Sequence, residues 1–455
     1  MRQLLLAALL PIAAWAQQKP AISAQHGFRA TAFAMSTQNG VFGPHSSLQD
    51  YQALTSGLEY LGKFERGAWR LNLDFYATAL VAGNPFEKDS LTGKTSRYES
   101  GLLAVDRPDR AWVAVPSIFE LSYVGKNFQG SLGSFSLDGT FVNEEHGRMI
   151  PSTFAGTRWQ WRLSENTLLK SALVTHIAAR STTGFKTVAN SLAQYNPGLD
   201  TSGSVHNKSQ VETPFLAFAE LEMGHQWKNW KGLLSAESYT VPNVFGTVVL
   251  DEVLKKGVHM LELQFVSQYI LGNGGNEDPS LAYFQQKRSR YYAAEYTHKV
   301  GEVNYFIGMS HITKAGKLLF PREWGREYLV TFQGRERQEG MGGSSAVVAG
   351  ARSKWTEGKV KHSGGVSTGV YMRPEPTNYA LNKYAMPSNQ QTNLWWRQQW
   401  GGRNELTSLF VLKVPLSSQA LTAGQTINKV DMIHLSFIYR YAILPGQSTK
   451  KAALP

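Results

Sequence analysis

Two stretches of the chain carry the side chains best suited to chemistry. The first is Glu145-His146-Gly147-Arg148-Met149-Ile150-Pro151-Ser152-Thr153-Phe154-Ala155-Gly156. The second is Pro321-Arg322-Glu323-Trp324-Gly325-Arg326-Glu327, followed by Arg335-Glu336-Arg337-Gln338-Glu339-Gly340. Guanidinium groups are planar, permanently charged and bidentate toward carboxylates, so arginines gathered in polar loops suit anion recognition. Bond-making signatures are missing. There is no G-x-S-x-G elbow, no H-E-x-x-H pair and no P-loop. Gly272-Asn273-Gly274-Gly275 sits in a polar stretch without the strand–helix context that a dinucleotide site requires. His176, His298 and His311 are isolated in sequence and read as wall or rim residues, not metal ligands. No cofactor is expected.

Charge points the same way. Lys and Arg number 46 against 34 Asp and Glu, a formal net charge of +12. Such an excess suits nucleic acid, anionic membranes or acidic solutes. Nucleic acid is set aside because the chain opens like an export signal. Arg2 precedes an apolar run from Leu4 to Leu10, and Ala14-Trp15-Ala16 supplies a small-residue cleavage site, so residues 1–16 read as a signal peptide. Two uses of the basic excess stay open: a basic lumen, or contact with lipopolysaccharide phosphates at an outer rim.

These residues need a scaffold, and the hydrophobic pattern specifies one. Over 69–79, Trp69, Leu71, Leu73, Phe75, Ala77 and Ala79 alternate with Arg70, Asn72, Asp74, Tyr76 and Thr78. Period two over eleven residues makes a strand with one oily and one wet face, long enough to cross a bilayer when tilted. Similar alternation recurs at 54–61, 119–123, 158–163, 215–223, 230–241, 258–269, 291–298, 303–312, 345–352, 360–370, 394–400, 406–412 and 433–441. The stretch 168–180 is less regular, with aliphatics on both faces. No apolar run beyond residue 20 reaches the length of a spanning helix.

Connections alternate in length. Tight links at 62–67, 125–127, 164–167, 225–229, 299–302, 355–358 and 401–404 separate polar stretches at 81–110, 138–156, 181–212, 271–287, 313–343, 372–390 and 414–428. Short turns on one side and long loops on the other are the habit of outer-membrane barrels. Taking 243–250 as a weak strand and 327–332 as loop, the reading is an all-β, transmembrane antiparallel barrel of about eighteen strands. It occupies 17–441, ahead of a polar tail at 442–455, with no space for an N-terminal plug. Strand parity turns Arg70, Arg158, Arg162, Arg352, Lys359, Lys361, Arg397 and Arg440 inward, together with Glu59, Asp74, Glu120, Glu220, Glu262 and Glu295. Trp69, Trp112, Trp159, Trp396, Trp400 and Tyr441 fit an interfacial girdle.

The spacing R-x-x-P-x-T-F-x-G at Arg148, Pro151, Thr153, Phe154 and Gly156 resembles the third-loop motif of OprD-type outer-membrane porins. The 321–340 stretch is similar to another loop of that family. The resemblance implies a monomeric eighteen-stranded barrel whose third and seventh loops fold inward and narrow the pore. It also implies passage of small, mostly carboxylate-bearing solutes. The expected constriction and substrate path is then Arg148, Glu145 and Pro151, with Arg158, Arg162, Arg70 and Arg440 from the wall. Arg322, Arg326, Arg335 and Arg337 are looser candidates. Expected partners are those solutes, outer-membrane lipid and lipopolysaccharide. Two features depart from the family: Glu145-His146-Gly147 before Arg148, and a last strand ending at Tyr441 ahead of a polar tail. Two other readings stand beside this one, a barrel-borne lipid hydrolase and an exported adhesin.

Overall fold

The computed structural model describes residues 23–42, 49–90, 93–96, 98–144, 147–192, 200, 203, 211–417 and 431–444. Residues 1–16, read above as a signal peptide, together with Glu145 and the tail from 445 onward, lie outside the described residues. The alternating segments all become antiparallel strands. β1 to β6 are Ser23–Asn39, Tyr51–Arg66, Trp69–Gly83, Trp112–Val124, Phe128–Phe135 and Thr153–Ser164. β7 to β12 are Thr167–Ala178, Leu216–Trp227, Trp230–Val241, Phe245–Lys256, His259–Ile270 and Arg288–Val300. β13 to β18 are Val303–Ile312, Ser344–Glu357, Val360–Met372, Asn389–Trp400, Asn404–Pro415 and Met432–Leu444. Each pairs with its sequence neighbour, and β1 also pairs with β18 from Phe28↔Leu444 to Asn39↔Met432, which closes the eighteen-stranded barrel. Closure leaves no unpaired sheet edge.

The short connections sit at one end, as at 67–68, 165–166, 257–258 and 301–302. The first of them is shorter than the 62–67 link read from sequence, because β2 runs on to Arg66. Connections at the other end are named L1 to L9 in order. L2 is 84–111, L3 is 136–152, L4 is 179–215, L7 is 313–343 and L8 is 373–388. L5 is the exception, a three-residue turn at 242–244 in which Asn243 takes φ 62°. The weak strand expected at 243–250 therefore starts later and runs further, as β10, while 327–332 is loop as anticipated. β18 continues three residues past Tyr441 to Leu444.

Outward positions are apolar and exposed: Leu58, Phe75, Phe119, Leu263, Ile307, Val366 and Leu394. No helix among the described residues is long and apolar enough to cross a membrane. Inside, L3 and L7 fold into the barrel and bury a large apolar cluster against β5–β13. Phe141 and Val142 of L3 meet Phe320, Trp324 and Leu329 of L7, and both meet Val174, Phe218, Tyr239, Phe245 and Val266 of the wall. Phe141 and Phe320 stack at 4.0 Å. This explains the irregular pattern at 168–180. Leu173 of β7 faces out and is exposed, whereas Val174 and Ile177 are buried against loop residues. L2 folds inward as well, placing Tyr98 and Leu102 on Phe33 and Met35 of β1.

Candidate functional site: a basic constriction beside the docked loops

L7 is held inside the barrel by three sets of polar contacts, each built from a sequence motif. Asn143 of L3 donates to the Arg326 carbonyl at 2.8 Å and accepts from the Arg326 amide at 2.8 Å. Gly325 allows that approach, since a Cβ there would sit 2.7 Å from the Asn143 nitrogen. Ser152 donates to the Glu323 carbonyl at 2.8 Å, and the Trp324 indole donates to Ser191 of L4 at 2.9 Å. The third set is ionic and dry. Glu336 meets Arg373 and, at 2.9 Å, Lys413 of β17, and none of the three side chains is more than 1% exposed. Glu339 meets Lys383 at 2.8 Å and accepts from the Tyr384 hydroxyl at 2.5 Å. Burial alone would raise both carboxyls, but the facing Arg373, Lys413, Lys383 and Arg337 charges hold them below the ordinary glutamate range.

The docked loops leave one side of the lumen open, between themselves and β15–β18 with β1. The space there is a cavity of about 670 Å³, reaching from L3 and L7 down to the short-turn residues Lys359 and Arg403. Eleven arginines and lysines line it against four glutamates. Two of those four, Glu336 and Glu339, are the buried anchors just described. Glu327 is pushed up to about 8 by burial and by the neighbouring Glu339 carboxylate, although it accepts amide hydrogens from Gln338 and Glu339 at 3.0 and 2.7 Å. It is therefore mostly neutral at pH 7. The fourth, Glu405, takes Arg397 at 2.5 Å, Arg440 at 3.0 Å and the Gln399 amide at 2.9 Å.

Strand register sets the wall. Lys361 faces Gln399, Gln399 faces Glu405, and Glu405 faces Arg440 across β15 to β18. Neighbouring strands lie ~4.8 Å apart, so these groups form one row across the wall. Arg29 of β1 follows, paired with Glu59 at 2.9 Å. Facing the row from the loops is Arg148, whose guanidinium donates to the Tyr98 carbonyl at 2.9 Å and rests on Gly101.

Of the residues expected in the path, Arg148, Arg322, Arg326, Arg335 and Arg440 do line the cavity. Pro151 lines a smaller pocket of about 60 Å³ beside it, shared with Arg148, Arg29 and Arg440. The others lie elsewhere. Arg337 is 1% exposed, with its guanidinium 4.2 Å over the Tyr384 ring, because the loop turns it into the wall. Arg158 is tied to Glu120 at 2.6 Å and to the Ser136 carbonyl at 2.9 Å, outside the cavity. Arg70 pairs with Glu65 at 2.7 Å near the short turns, and Arg162 is exposed beside the 165–166 turn. Sequence reasoning missed Arg29, Arg180, Arg403 and Tyr98, all of which line the cavity. Arg29 was hidden from hydropathy, since Arg29, Thr31, Phe33 and Met35 share one face of β1. Phe33 and Met35 look outward by hydropathy, yet they are buried inside against L2. No group of three or more metal-ligating side chains occurs among the described residues.

No family model and no curated protein sequence matches the chain. Solved structures do. OccAB4 of Acinetobacter baumannii aligns with TM-score 0.64 at 12% identity, over 94% of this chain and 98% of that one. A BenF-like porin from Pseudomonas fluorescens Pf-5 gives 0.64 at 10%, over 92% and 99%. OpdK of Pseudomonas aeruginosa, solved with vanillate, gives 0.61 at 11%, over 92% and 98%. The shared feature is the eighteen-stranded closed barrel.

Proposed function

We propose that this chain is an outer-membrane porin giving passive, partly selective diffusion of small hydrophilic solutes, favouring carboxylate-bearing ones. The observation that carries the reading is the lining of the open side of the lumen, eleven basic groups against four acids, of which Glu336 and Glu339 are buried in ion pairs. The apolar outward face supports placement in lipid. Short turns then face the periplasm and long loops the exterior. The solved barrels that align with this one include a BenF-like porin, and OpdK was solved with vanillate, an aromatic carboxylate.

The chemistry follows from the wall. Arginines spaced along a path offer a carboxylate one bidentate partner after another, and conduction needs binding that is favourable but escapable. Two unit charges at roughly 8 Å and an effective dielectric of about 20 attract by about 2 kcal/mol before screening. That attraction survives only in a narrow lumen, because the Debye length is ~8 Å at physiological salt. The proposed path runs from Arg322, Arg326 and Arg148 to Arg440, Arg397 and Lys361, and no step requires a cofactor. Purified protein in a planar bilayer is expected to form ohmic channels, with anion current falling when Arg148 is replaced by Glu. Bilayers that stay silent, or an R148E channel passing anions as the parent does, would remove the reading.

A further inference from the structure

At the short-turn end, one outward row of side chains differs from the apolar face above it. Lys256 of β10 is in register with His259 of β11, His259 with His298 of β12, and His298 with Tyr305 of β13. Parity puts all four on the outside, since Leu250, Leu263, Tyr296 and Ile307 on the same faces of these strands are exposed. The two imidazoles lie 5.0 Å apart, centroid to centroid. The Lys256 ammonium sits 5.8 Å over the ring of Trp230 on β9, which closes the row on that side. Tyr296 bonds His259 Nδ1 through its hydroxyl at 2.7 Å and stacks on it, which fixes the ring and leaves Nε2 turned away from that contact.

No carboxylate stands in this row. The nearest on the same outward face of β10 is Glu252, four residues further into the barrel and taken up by His225 at 2.8 Å. The row therefore offers one ammonium and two imidazole edges within about 10 Å, two strand spacings. Tyr305 and Trp230, the kind of residue that settles at headgroup depth, flank it on either side. Directly above lie Leu254, Leu261, Leu263 and Ile307. A cationic and N–H-donating cluster under an apolar wall matches a molecule with an anionic head and hydrocarbon tails.

We infer that the row Lys256, His259 and His298 binds the phosphate of an anionic phospholipid in the periplasm-facing leaflet. The inference rests on the membrane placement proposed above. Lys256 and the imidazole Nε2 groups take the phosphate oxygens, Trp230 and Tyr305 cover the glycerol, and the acyl chains lie along the strands above.

The test is native mass spectrometry of the purified barrel in nonionic detergent with phosphatidylglycerol, and separately with the matching diacylglycerol that lacks the phosphate. The parent is expected to retain one phosphatidylglycerol and no diacylglycerol. The variant K256Q/H259Q/H298Q is expected to lose at least five-fold of that retention while conducting as the parent does. Inorganic phosphate at millimolar concentration should not displace the lipid. Equal retention of diacylglycerol by the parent overturns the site without reference to any variant. Undiminished retention by the triple variant, or displacement by free phosphate, overturns it as well. A parent that keeps the lipid yet never conducts instead contradicts the porin reading and leaves the lipid site standing.

Discussion

Replacing Glu336 by Ala should open the pore, and the size of the effect can be worked from the anchor. The Glu336 carboxylate meets the Arg373 guanidinium, the Lys413 ammonium at 2.9 Å and the Asn389 amide at 3.1 Å, all of them buried. Removing one partner of a buried ion pair costs about 3–5 kcal/mol, because the remaining charge stays dry and unpaired. Here two cations lose their partner at once. At 1.36 kcal/mol per factor of ten, the balance between docked and released L7 shifts by roughly 150- to 5,000-fold. The strand ladders lie outside the anchor, so the barrel should keep its heat-modifiable mobility on gels. Released L7 carries Arg322 and Arg326 out of the lumen. Single-channel conductance is therefore expected to rise, anion preference to weaken, and trypsin to cut after Arg326 or Arg335. The triple change E336M/R373M/K413M leaves no unpaired charge and should recover part of the docking. A folded E336A barrel with parental conductance and parental resistance to trypsin would refute the assignment of Glu336 as the loop's anchor.

Two further outcomes follow from the same wall. Glu405→Gln frees Arg397 and Arg440 from their shared carboxylate, so the anion-to-cation permeability ratio from reversal potentials should rise a few-fold, within the ~2 kcal/mol that one charge contributes in a narrow lumen; an unmoved reversal potential refutes it. Glu327, held near 8 by burial and the adjacent Glu339, gains its negative charge as pH climbs from 7 to 9. Anion current should decline over that window in the parent and stay flat in E327Q. Since the folded carboxyl titrates above its ordinary value of 4.5, stability also falls as pH rises between those two values. A parent with flat anion current from pH 7 to 9 contradicts this role for Glu327.

The fold was readable because lipid-facing and water-facing positions alternate strictly. Trp69 to Ala79 displays that pattern in full, and it became β3. Legibility failed where the inward face is itself apolar. β7 and β10 carry Val174, Phe245 and Val249 against the docked loops, so hydropathy alone blurs their period. The same cause hid Arg29, flanked on its own face by Phe33 and Met35. Among the loop arginines, motif membership separated loop residues from wall residues but not lining from anchoring. Arg335 faces the cavity, bonding His434 at 3.1 Å, whereas Arg337, two residues on, stacks on Tyr384. Irregular backbone obeys no period, so nothing in the linear order of 335–340 tells which guanidinium turns toward water.

The two halves of the inner wall explain why the loops dock where they do. At the long-loop end, the inward residues of β7 to β12 include Val174, Leu216, Phe218, Tyr239, Phe245, Val249, Val266 and Tyr291, all buried. Those of β15 to β18 are mostly polar instead, Gln391, Asn393 and Lys413 at that end and Lys361, Gln399, Glu405 and Arg440 nearer the short turns. Phe141, Phe320 and Trp324 gain by leaving water only on the first half, where apolar partners await them. On the second half they would strip water from charges whose partners are few. The apolar parts of the loops therefore settle on the oily arc, the polar 334–339 stretch of L7 reaches across to Lys413, and the basic row nearer the short turns keeps its solvent. Moving a charge into the oily arc, for instance Val266→Lys, attacks the docking rather than the barrel. Its signature would then match that of E336A, with higher conductance and weaker anion preference, although it lies on β11, far along the sheet from Lys413 on β17.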